Sequence, residues 1–250
     1  MPGQRESQKV RFAHVDRAGI VFYPRYIEML AGAFPGFAEE AVGRSVELVF
    51  RAPARLGERL EFRIRDGTDD AAPGIDAFHD ERLIFECRLC GLTRPPGRLS
   101  ETGVFRQERE IAGWMVGPDR RLHLSRYYEF LSDMVEDWFA DRVGVPFATM
   151  FATGGVSTPT VRLASEIRQL PAVGERVTMI LDTARIGTSS ITLDVRLYRG
   201  DRELLRTEQV LVTALRDPMR AVPIPEDIAA GIRMSAQGSG DDLQERGARS

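Results

Sequence analysis

The chain repeats a set of short patterns in the same order, and this internal repeat constrains its fold more than any other feature. Residues 25–30 read Arg-Tyr-x-Glu-x-Leu and return at residues 126–131, an offset of 126 − 25 = 101. Residues 53–60 return one residue shorter at 171–177, and residues 86–89 are echoed at 194–197. Three correspondences in one order predict two similar structural units, with convergent helix and strand composition as the alternative.

Each half reads as an N-terminal segment, one helix and several strands. In the second half, apolar residues at helical spacing run from Tyr128 to Phe139, and Gly144 is the expected stop. Alternating apolar residues then predict strands around residues 161–167, 177–181, 191–197 and 210–212. In the first half, the pair Pro35-Gly36 is expected to interrupt the helix.

One long helix against an antiparallel sheet in each half is an α+β architecture. We therefore predict a first unit at residues 1–108 and a second unit at residues 109–230. Beyond these units the composition turns to Ser, Gly, Gln, Asp and Arg, which favours a disordered tail at residues 231–250.

The composition argues against several classes of function. The net charge of −3 over 250 residues gives no reason to expect nucleic acid as a partner. No apolar stretch approaches the roughly 20 residues that span a bilayer, and no signal peptide is recognisable, so we expect a cytoplasmic protein with no membrane partner. Cys87 and Cys90 fall three apart in a strand-like run and should point to opposite faces as unconnected thiols. We predict no metal and no other cofactor, because nothing completes a ligand set with these cysteines.

The stretch at residues 14–26 is the one place that indicates a chemistry. Asp16 comes just before a glycine turn and an apolar run, and Pro24 then opens an amphipathic helix. A helix start gathers unpaired backbone N–H groups and a partial positive charge, which suit a developing oxyanion. A carboxylate and an oxyanion site within one turn are typical of acyl transfer.

These residues resemble the 4-hydroxybenzoyl-CoA thioesterase family of hot-dog-fold enzymes. The family motif D-x-A-G-I-V-F-Y is matched at every position of residues 16–23. The resemblance implies two hot-dog units in tandem and hydrolysis of an acyl-CoA thioester to the free acid and CoA. It implies that Asp16 is the nucleophile or general base and that the Tyr23 backbone N–H polarises the thioester carbonyl. Gly19 and Phe22 would then contact the substrate, and two chains would associate as a homo-oligomer.

The two halves differ around this motif. Gly117 stands opposite Asp16 (16 + 101 = 117), and Asp119 lies two positions further along, outside the register. The second half instead has a long segment before its first strand, and the first half lacks an equivalent. Within that segment, Ser157 and Thr158 begin a Ser-Thr-Pro step that resembles the family's Thr-Pro step beside the acyl pocket. We therefore predict one composite site per chain, with Asp16 and the Tyr23 amide from the first half and the Ser157–Thr160 region from the second.

Three alternatives remain open at this point. Asp16 could be a turn-capping acid with no chemistry, since Asp commonly has that role before helices. The protein could bind an acyl-CoA or serve as a scaffold without hydrolysis. It could also be a hydratase or dehydratase of the same fold, although His14 and Asp16 are poorly spaced for such a pair.

Overall fold

The computed structural model describes residues 5–65, 67, 73–99, 103–152, 156–216 and 219–238. The helices are α1 Tyr23–Ala33, α2 Phe37–Ala41, α3 Leu124–Trp138, α4 Phe147–Ala152 and α5 Glu226–Gly238. The strands are β1 Arg5–Lys9, β2 Arg44–Phe50, β3 Arg59–Arg65, β4 Gly74–His79, β5 Arg82–Gly91, β6 Phe105–Glu110, β7 Thr160–Ile167, β8 Arg176–Ile186, β9 Ser190–Arg199, β10 Arg202–Val212, β11 Ala214–Arg216 and β12 Met219–Ala221. Short 3-10 turns, Phe12–His14 and Gly113–Met115, lie ahead of α1 and α3.

Ten strands form one antiparallel sheet in the order β1-β3-β4-β5-β2-β7-β10-β9-β8-β6. The order of strands from one edge to the centre repeats the order from the other edge. Strands β1, β3, β4, β5 and β2 thus correspond in turn to β6, β8, β9, β10 and β7. The two sets meet where β2 pairs with β7, residues 44–49 against residues 162–167. Each set is therefore one half of a continuous sheet, and β2 and β7 form its seam.

Backbone hydrogen bonds repeat at equivalent positions in the two halves. The Gly57 N–H donates to the Val10 carbonyl at 3.0 Å, and the Gly174 N–H donates to the Ile111 carbonyl at 2.8 Å. Both glycines have positive φ, +91° and +82°, a conformation that favours glycine. These bonds relate Val10 to Ile111 by an offset of 101, the offset of the first pair of patterns, and relate Gly57 to Gly174, as in the repeat of residues 53–60 at 171–177.

The third sequence correspondence is wrong. Residues 86–89 lie in β5 and residues 194–197 lie in β9, but the strand order matches β5 with β10. Both stretches alternate charged and apolar residues because β5 and β9 each have one buried and one more exposed face. Alternation alone does not say which strand a segment forms.

The two long helices pack on one face of the sheet and against each other. In α3, a helical stripe of buried residues includes Tyr127, Leu131, Met134 and Trp138, as the spacing predicts. The helix continues through a π turn, Phe139–Val143, and stops at Gly144, whose φ is +78°. The first-half helix α1 ends at Ala33, which confirms the predicted interruption.

Two predicted boundaries are corrected. The break between residues 108 and 109 falls inside β6, whose residues all pair with β8, so this strand belongs with the second half. The predicted disorder at 231–250 is wrong for residues 231–238, which continue α5. Ile228 and Ile232 are buried there, and α5 packs against the π turn. Residues 239–250 lie outside the described part of the chain.

The two cysteines lie on one strand, three residues apart. Cys87 and Cys90 are free thiols on β5, Cys87 buried and Cys90 half-buried, as expected for residues three apart on a strand. Burial raises the pKa of the Cys87 thiol, so this thiol stays protonated. In the described part of the chain, no helix has both the length and the apolar character needed to cross a bilayer.

Candidate active site

Asp16 lies at the start of a tight hairpin turn that leads into α1. The Asp16 N–H donates to the Ile20 carbonyl at 2.9 Å, and the Gly19 N–H donates to the Asp16 carbonyl at 3.0 Å. Gly19 closes the turn with a φ of +73°, which residues with a side chain adopt only at a cost. Gly19 thus has a structural role in the turn, and its contact with a substrate stays a prediction.

The Asp16 carboxylate is half-buried and held by the turn itself. Its Oδ1 accepts hydrogen bonds from the Ala18 N–H at 2.8 Å and the Ile20 N–H at 3.3 Å. This is the turn-capping role that the sequence left open. Because a carboxylate has about four acceptor positions, two backbone donors orient the group without using up its capacity.

Tyr23 is the first residue of α1, and Phe22 is the N-cap. The first N–H groups of an α-helix have no acceptor within the helix, and the adjacent Pro24 has no N–H to compete for a ligand. The Phe22 N–H donates to the His14 carbonyl at 3.0 Å, which fixes the helix start against the segment that carries Asp16. The carboxylate and the helix start are therefore two ends of one hairpin.

The Tyr23 side chain crosses from the first half to the second. Its hydroxyl donates to the Tyr128 carbonyl of α3 at 3.1 Å. Burial raises the pKa of the Tyr23 phenol, although hydrogen bonds with the side chains of Ser132 and Gln209 act to lower it. The phenol is thus a neutral donor in a polar contact between the two halves.

Gln209 connects Tyr23 to the segment that the sequence analysis placed opposite Asp16. Gln209 is only 1% exposed, and its Nε2 donates to the Thr160 hydroxyl at 2.8 Å. Its Oε1 is buried with no hydrogen-bond partner among the described residues. Thr160 begins β7, two positions after Thr158. The start of the first-half helix therefore lies close to the start of the second-half strand.

The other predicted site residues are more peripheral in the described contacts. The Ser157 N–H donates to the Ala214 carbonyl at 2.8 Å, and the Ser157 hydroxyl donates to the same oxygen at 3.3 Å. Thr158 is half-buried and follows it, whereas residues 153–155 of the preceding loop lie outside the description. Phe22 is half-buried and packs edge-on against the Tyr23 ring, with centroids 5.4 Å apart. The His14 Nδ1 accepts the Arg11 N–H at 3.2 Å, a structural role.

Sequence analysis missed Gln209 and Ser132. A signal for Gln209 was present in the repeat. The Arg51 N–H donates to the Ile84 carbonyl, and the Arg168 N–H donates to the Leu204 carbonyl, so position 84 matches 204 (84 + 120). By that offset Gln209 replaces Leu89 (89 + 120 = 209), a polar residue at a position that is apolar in the first half.

The second-half turn has the same backbone but a different acid. The Gly117 N–H donates to the Arg121 carbonyl at 2.9 Å, as Asp16 does to Ile20. The Arg121 N–H is accepted by the Asp119 Oδ1 at 3.0 Å, whereas Asp16 itself accepts the equivalent amide in the first half. A Cβ on Gly117 would lie 3.2 Å from that Asp119 oxygen. Asp119 therefore occupies the place of the missing acid as an exposed turn cap.

A groove on the outer face of the sheet includes none of these residues. It encloses about 240 Å³ across β5, β2, β7 and β10, and its lining includes Glu47, Arg162 and Glu208. Arg162 bonds Glu47 at 2.8 Å and Glu208 at 2.6 Å, and the whole lining has equal numbers of arginines and glutamates. In the part of the chain that the structure describes, no group of three or more His, Cys, Asp or Glu residues is arranged to hold a metal ion.

Comparison with known proteins finds similar structures but no similar sequences. No family model matches the chain, and no curated protein matches it in sequence. Solved structures do match. The 12:0-ACP thioesterase from Umbellularia californica has a TM-score of 0.62 at 10% identity, covering 84% of this chain and 94% of its own. An acyl-ACP thioesterase from Bacteroides thetaiotaomicron has a TM-score of 0.60 at 10% identity, covering 83% and 97%. A putative oleoyl thioesterase from Lactobacillus plantarum has a TM-score of 0.60 at 11% identity, covering 88% and 96%.

The chain has the hot-dog fold. The similarity extends over most of this chain and nearly all of each neighbour, so both halves take part in it. The predicted α+β class is confirmed. At such low identity the neighbours establish the fold, and the chemistry must be argued from the residues of this chain.

Proposed function

We propose that this protein hydrolyses acyl thioesters at one composite site per chain. Each half would be one hot-dog unit, and the site would lie where the units meet. The observation that carries the proposal is the hairpin that holds the Asp16 carboxylate at one end and the Tyr23 N–H at the start of α1 at the other. The fold shared with solved thioesterases supports the same chemistry.

In the proposed mechanism the Asp16 carboxylate attacks the thioester carbonyl or activates a water that does so. A thioester needs little further activation, because the thiolate is a good leaving group. The Tyr23 N–H would donate to the oxygen as negative charge develops on it, aided by the positive end of the α1 dipole. A donor of this kind contributes on the order of 3–4 kcal/mol to lowering the barrier.

The second half would supply the wall for the acyl group. The contact from Tyr23 through Gln209 to Thr160 supports this arrangement, because it sets the first-half helix start beside the segment that contains Ser157 and Thr158. Gly19 and Phe22 would border the thioester from the first half. The second half would make no site of its own, because Gly117 stands where the acid is needed.

The substrate, location and assembly of the protein are proposals from the family resemblance. We propose an acyl-CoA with an aryl or a short to medium acyl chain, in a cytoplasmic protein that forms homo-oligomers. The solved neighbours include enzymes named for acyl groups on a carrier protein, so the thiol carrier is the first property to test.

A thiol-release assay tests the proposal. The wild-type protein, the Asp16→Asn variant and the Asp119→Asn variant are each incubated with short, medium, branched and aryl CoA esters. Loss of the catalytic carboxylate should lower kcat by roughly 10²–10⁴-fold while KM changes little. Asp119→Asn, which removes a matched turn-capping acid, should leave kcat unchanged. Near wild-type hydrolysis by Asp16→Asn would exclude Asp16 as the catalytic group.

One observation favours a second candidate, a protein that binds acyl thioesters without hydrolysing them. The Asp16 Oδ1 is already engaged by two turn amides, as a purely structural acid would be. In that case no thiol would be released from any ester, and a nonhydrolysable acyl-CoA analogue would bind wild type and Asp16→Asn equally well.

A further inference from the structure

Three arginines lie around the Asp16 turn without an ion-pair partner in the described part of the chain. Arg17 is in the turn itself. Arg55 pairs its backbone with Ile20 in an antiparallel bridge at the base of the turn. Arg11 begins the 3-10 turn that leads to Asp16. All three are exposed, and we call them the basic rim.

Glu58, three residues after Arg55, is engaged by other groups. Glu58 accepts the Arg55 backbone N–H at 2.9 Å through one oxygen and forms an ion pair with Arg82 at 3.1 Å through the other. The guanidinium groups of the basic rim are therefore open to an anionic ligand from solution. Arginine is suited to that task, since its planar fork matches phosphate oxygens.

The second half provides an internal comparison, because the basic rim is absent from it. The residues at the three equivalent positions are Ala112, Pro118 and Ala172 (11 + 101, 17 + 101 and 55 + 117). That turn does have Arg120 and Arg121 in place of Gly19 and Ile20, but the Arg121 guanidinium donates to the Leu170 carbonyl at 2.9 Å. Within the described part of the chain, three arginines without a side-chain partner thus lie around the turn with the candidate catalytic acid, whereas Arg120 is the one such arginine in the turn without it.

An exposed aromatic ring adjoins the basic rim. Phe12 directly follows Arg11 and is 82% exposed. The Val15 N–H donates to the Phe12 carbonyl at 3.4 Å, so the backbone of Phe12 is held against the segment that leads to Asp16. A flat apolar ring beside phosphate-binding groups is the combination that stacks a base while the phosphates are held.

We propose that the basic rim and Phe12 bind the phosphorylated adenosine of coenzyme A. This inference rests on the proposed thioesterase and names its thiol carrier. Coenzyme A carries a diphosphate, a ribose phosphate and a purine, which match three guanidinium groups and one ring. A thioester on a carrier protein offers one phosphodiester and no purine near the scissile bond, and it leaves Phe12 without a role.

Matched thioesters that share one acyl group test this inference. Three proteins are assayed: wild type, the Phe12→Ala variant, and a triple variant that combines Arg11→Gln, Arg17→Gln and Arg55→Gln. The substrates are the acyl-CoA, the acyl-dephospho-CoA and the acyl-pantetheine. For acyl-CoA, the triple variant should raise KM about tenfold with kcat unchanged, the sum of three exposed charge contacts. For acyl-pantetheine, KM should not change. Arg120→Gln and Trp114→Ala, which remove an exposed arginine and an exposed aromatic ring near the second-half turn, should alter neither KM.

The outcomes separate this inference from the proposed function. If wild type releases no thiol from any ester, the thioesterase fails, and calorimetric binding of free CoA to wild type and to the triple variant still decides the role of the basic rim. The inference would be overturned if the triple variant raised KM equally for acyl-CoA and acyl-pantetheine, or raised it for neither. The inference would also be overturned if the triple variant raised KM as much for a carrier-protein thioester as for acyl-CoA, and Phe12→Ala changed neither KM.

Discussion

The two halves share one backbone pattern but differ in what they bury. From the hydrogen-bond matches, position 48 corresponds to 165 (48 + 117), 87 to 207 and 89 to 209 (each + 120). These positions hold Leu48, Cys87 and Leu89 in the first half and Ser165, Thr207 and Gln209 in the second. All six are buried, so the substitutions exchange an apolar interior for a hydrogen-bonded one.

The polar interior of the second half is a connected network. The Tyr127 hydroxyl lies 2.7 Å from that of Thr207, which lies 2.8 Å from that of Ser165, and the Tyr128 hydroxyl donates to Ser165 at 2.9 Å. The first half has an aromatic cluster at its centre instead, with the Tyr26 and Phe85 ring centroids 4.9 Å apart. Buried polar groups are stable only when they are paired, so the second half has a more specific interior.

The two turns show the complementary difference. The first has Asp16 and Gly19, and the second has Gly117 and Arg120 at the same positions. One half retains the candidate acid, and the other half has the polar interior, next to which the Tyr128 carbonyl accepts the Tyr23 hydroxyl. This difference is the basis of the proposal that the two halves are specialised for different parts of one site.

The largest expected effect on stability is in the polar network. Thr207→Val preserves shape but leaves the buried Tyr127 and Ser165 hydroxyls short of a partner, which should lower the free energy of unfolding by about 1–3 kcal/mol. The matched change in the first half, Cys87→Val, breaks no described side-chain hydrogen bond and should cost less than about 1.5 kcal/mol. Urea unfolding of both variants measures the difference. Equal losses would mean that the two interiors are energetically alike.

A smaller, pH-dependent effect is expected close to the seam. Glu166 of β7 accepts the Thr93 and Arg94 N–H groups at 3.1 and 3.0 Å, and it pairs with Arg168 at 2.9 Å. Burial acts to raise the pKa of this carboxyl, but the hydrogen bonds from Arg168 and Thr93 outweigh it and hold the pKa below its usual value. The matching position in the first half is Val49 (49 + 117 = 166).

The sign of the pH effect follows from the lowered pKa. The unfolded chain takes up the proton at higher pH than the native state does, so the stabilisation is present above the ordinary glutamate pKa and is lost as pH falls through the native value. Glu166→Gln should therefore cost about 1–2 kcal/mol at pH 7 and progressively less on acidification. Urea unfolding of wild type and Glu166→Gln over a pH series measures this. A cost that is the same at every pH would contradict it.

The smallest expected effect distinguishes the two turns. Arg120 has a φ of +61° where Gly19 has +73°, so the second-half turn holds a side chain in the left-handed region. Arg120→Gly should change stability by only about 0.5–1 kcal/mol, in the stabilising direction, since relief of strain is partly offset by chain entropy. Gly19→Ala should destabilise by about 1 kcal/mol. Thermal unfolding compares the two, and a stabilising Gly19→Ala would contradict the similarity of the turns.

The sequence predicts the repeat, the α+β class and the helix start at Pro24 because each depends on local patterns. The stop at Gly144 and the interruption at Pro35 are local in the same way. The pairing of β5 with β2 is not local, since an alternating strand has no mark that names its neighbour. This is why the echo at residues 194–197 is misleading.

The candidate site likewise has residues that local sequence predicts and residues that only the tertiary packing brings in. Asp16 and Tyr23 can be found from a contiguous motif, whereas Gln209 reaches Tyr23 only through the packing of α1 on the second half. The order of residues 231–238 was also missed, because a polar composition conceals the buried pair Ile228 and Ile232. Helices that depend on a few tertiary contacts are poorly marked in sequence.

The stoichiometry of ligand binding tests the central claim, that two dissimilar halves make one site. A nonhydrolysable thioether analogue of the best acyl-CoA substrate is titrated into the full-length protein by isothermal calorimetry. One analogue per chain is the predicted result, and Asp119→Asn should leave that number and the affinity unchanged. Two equivalent analogues per chain would contradict the account, because the second half would then have a working site of its own.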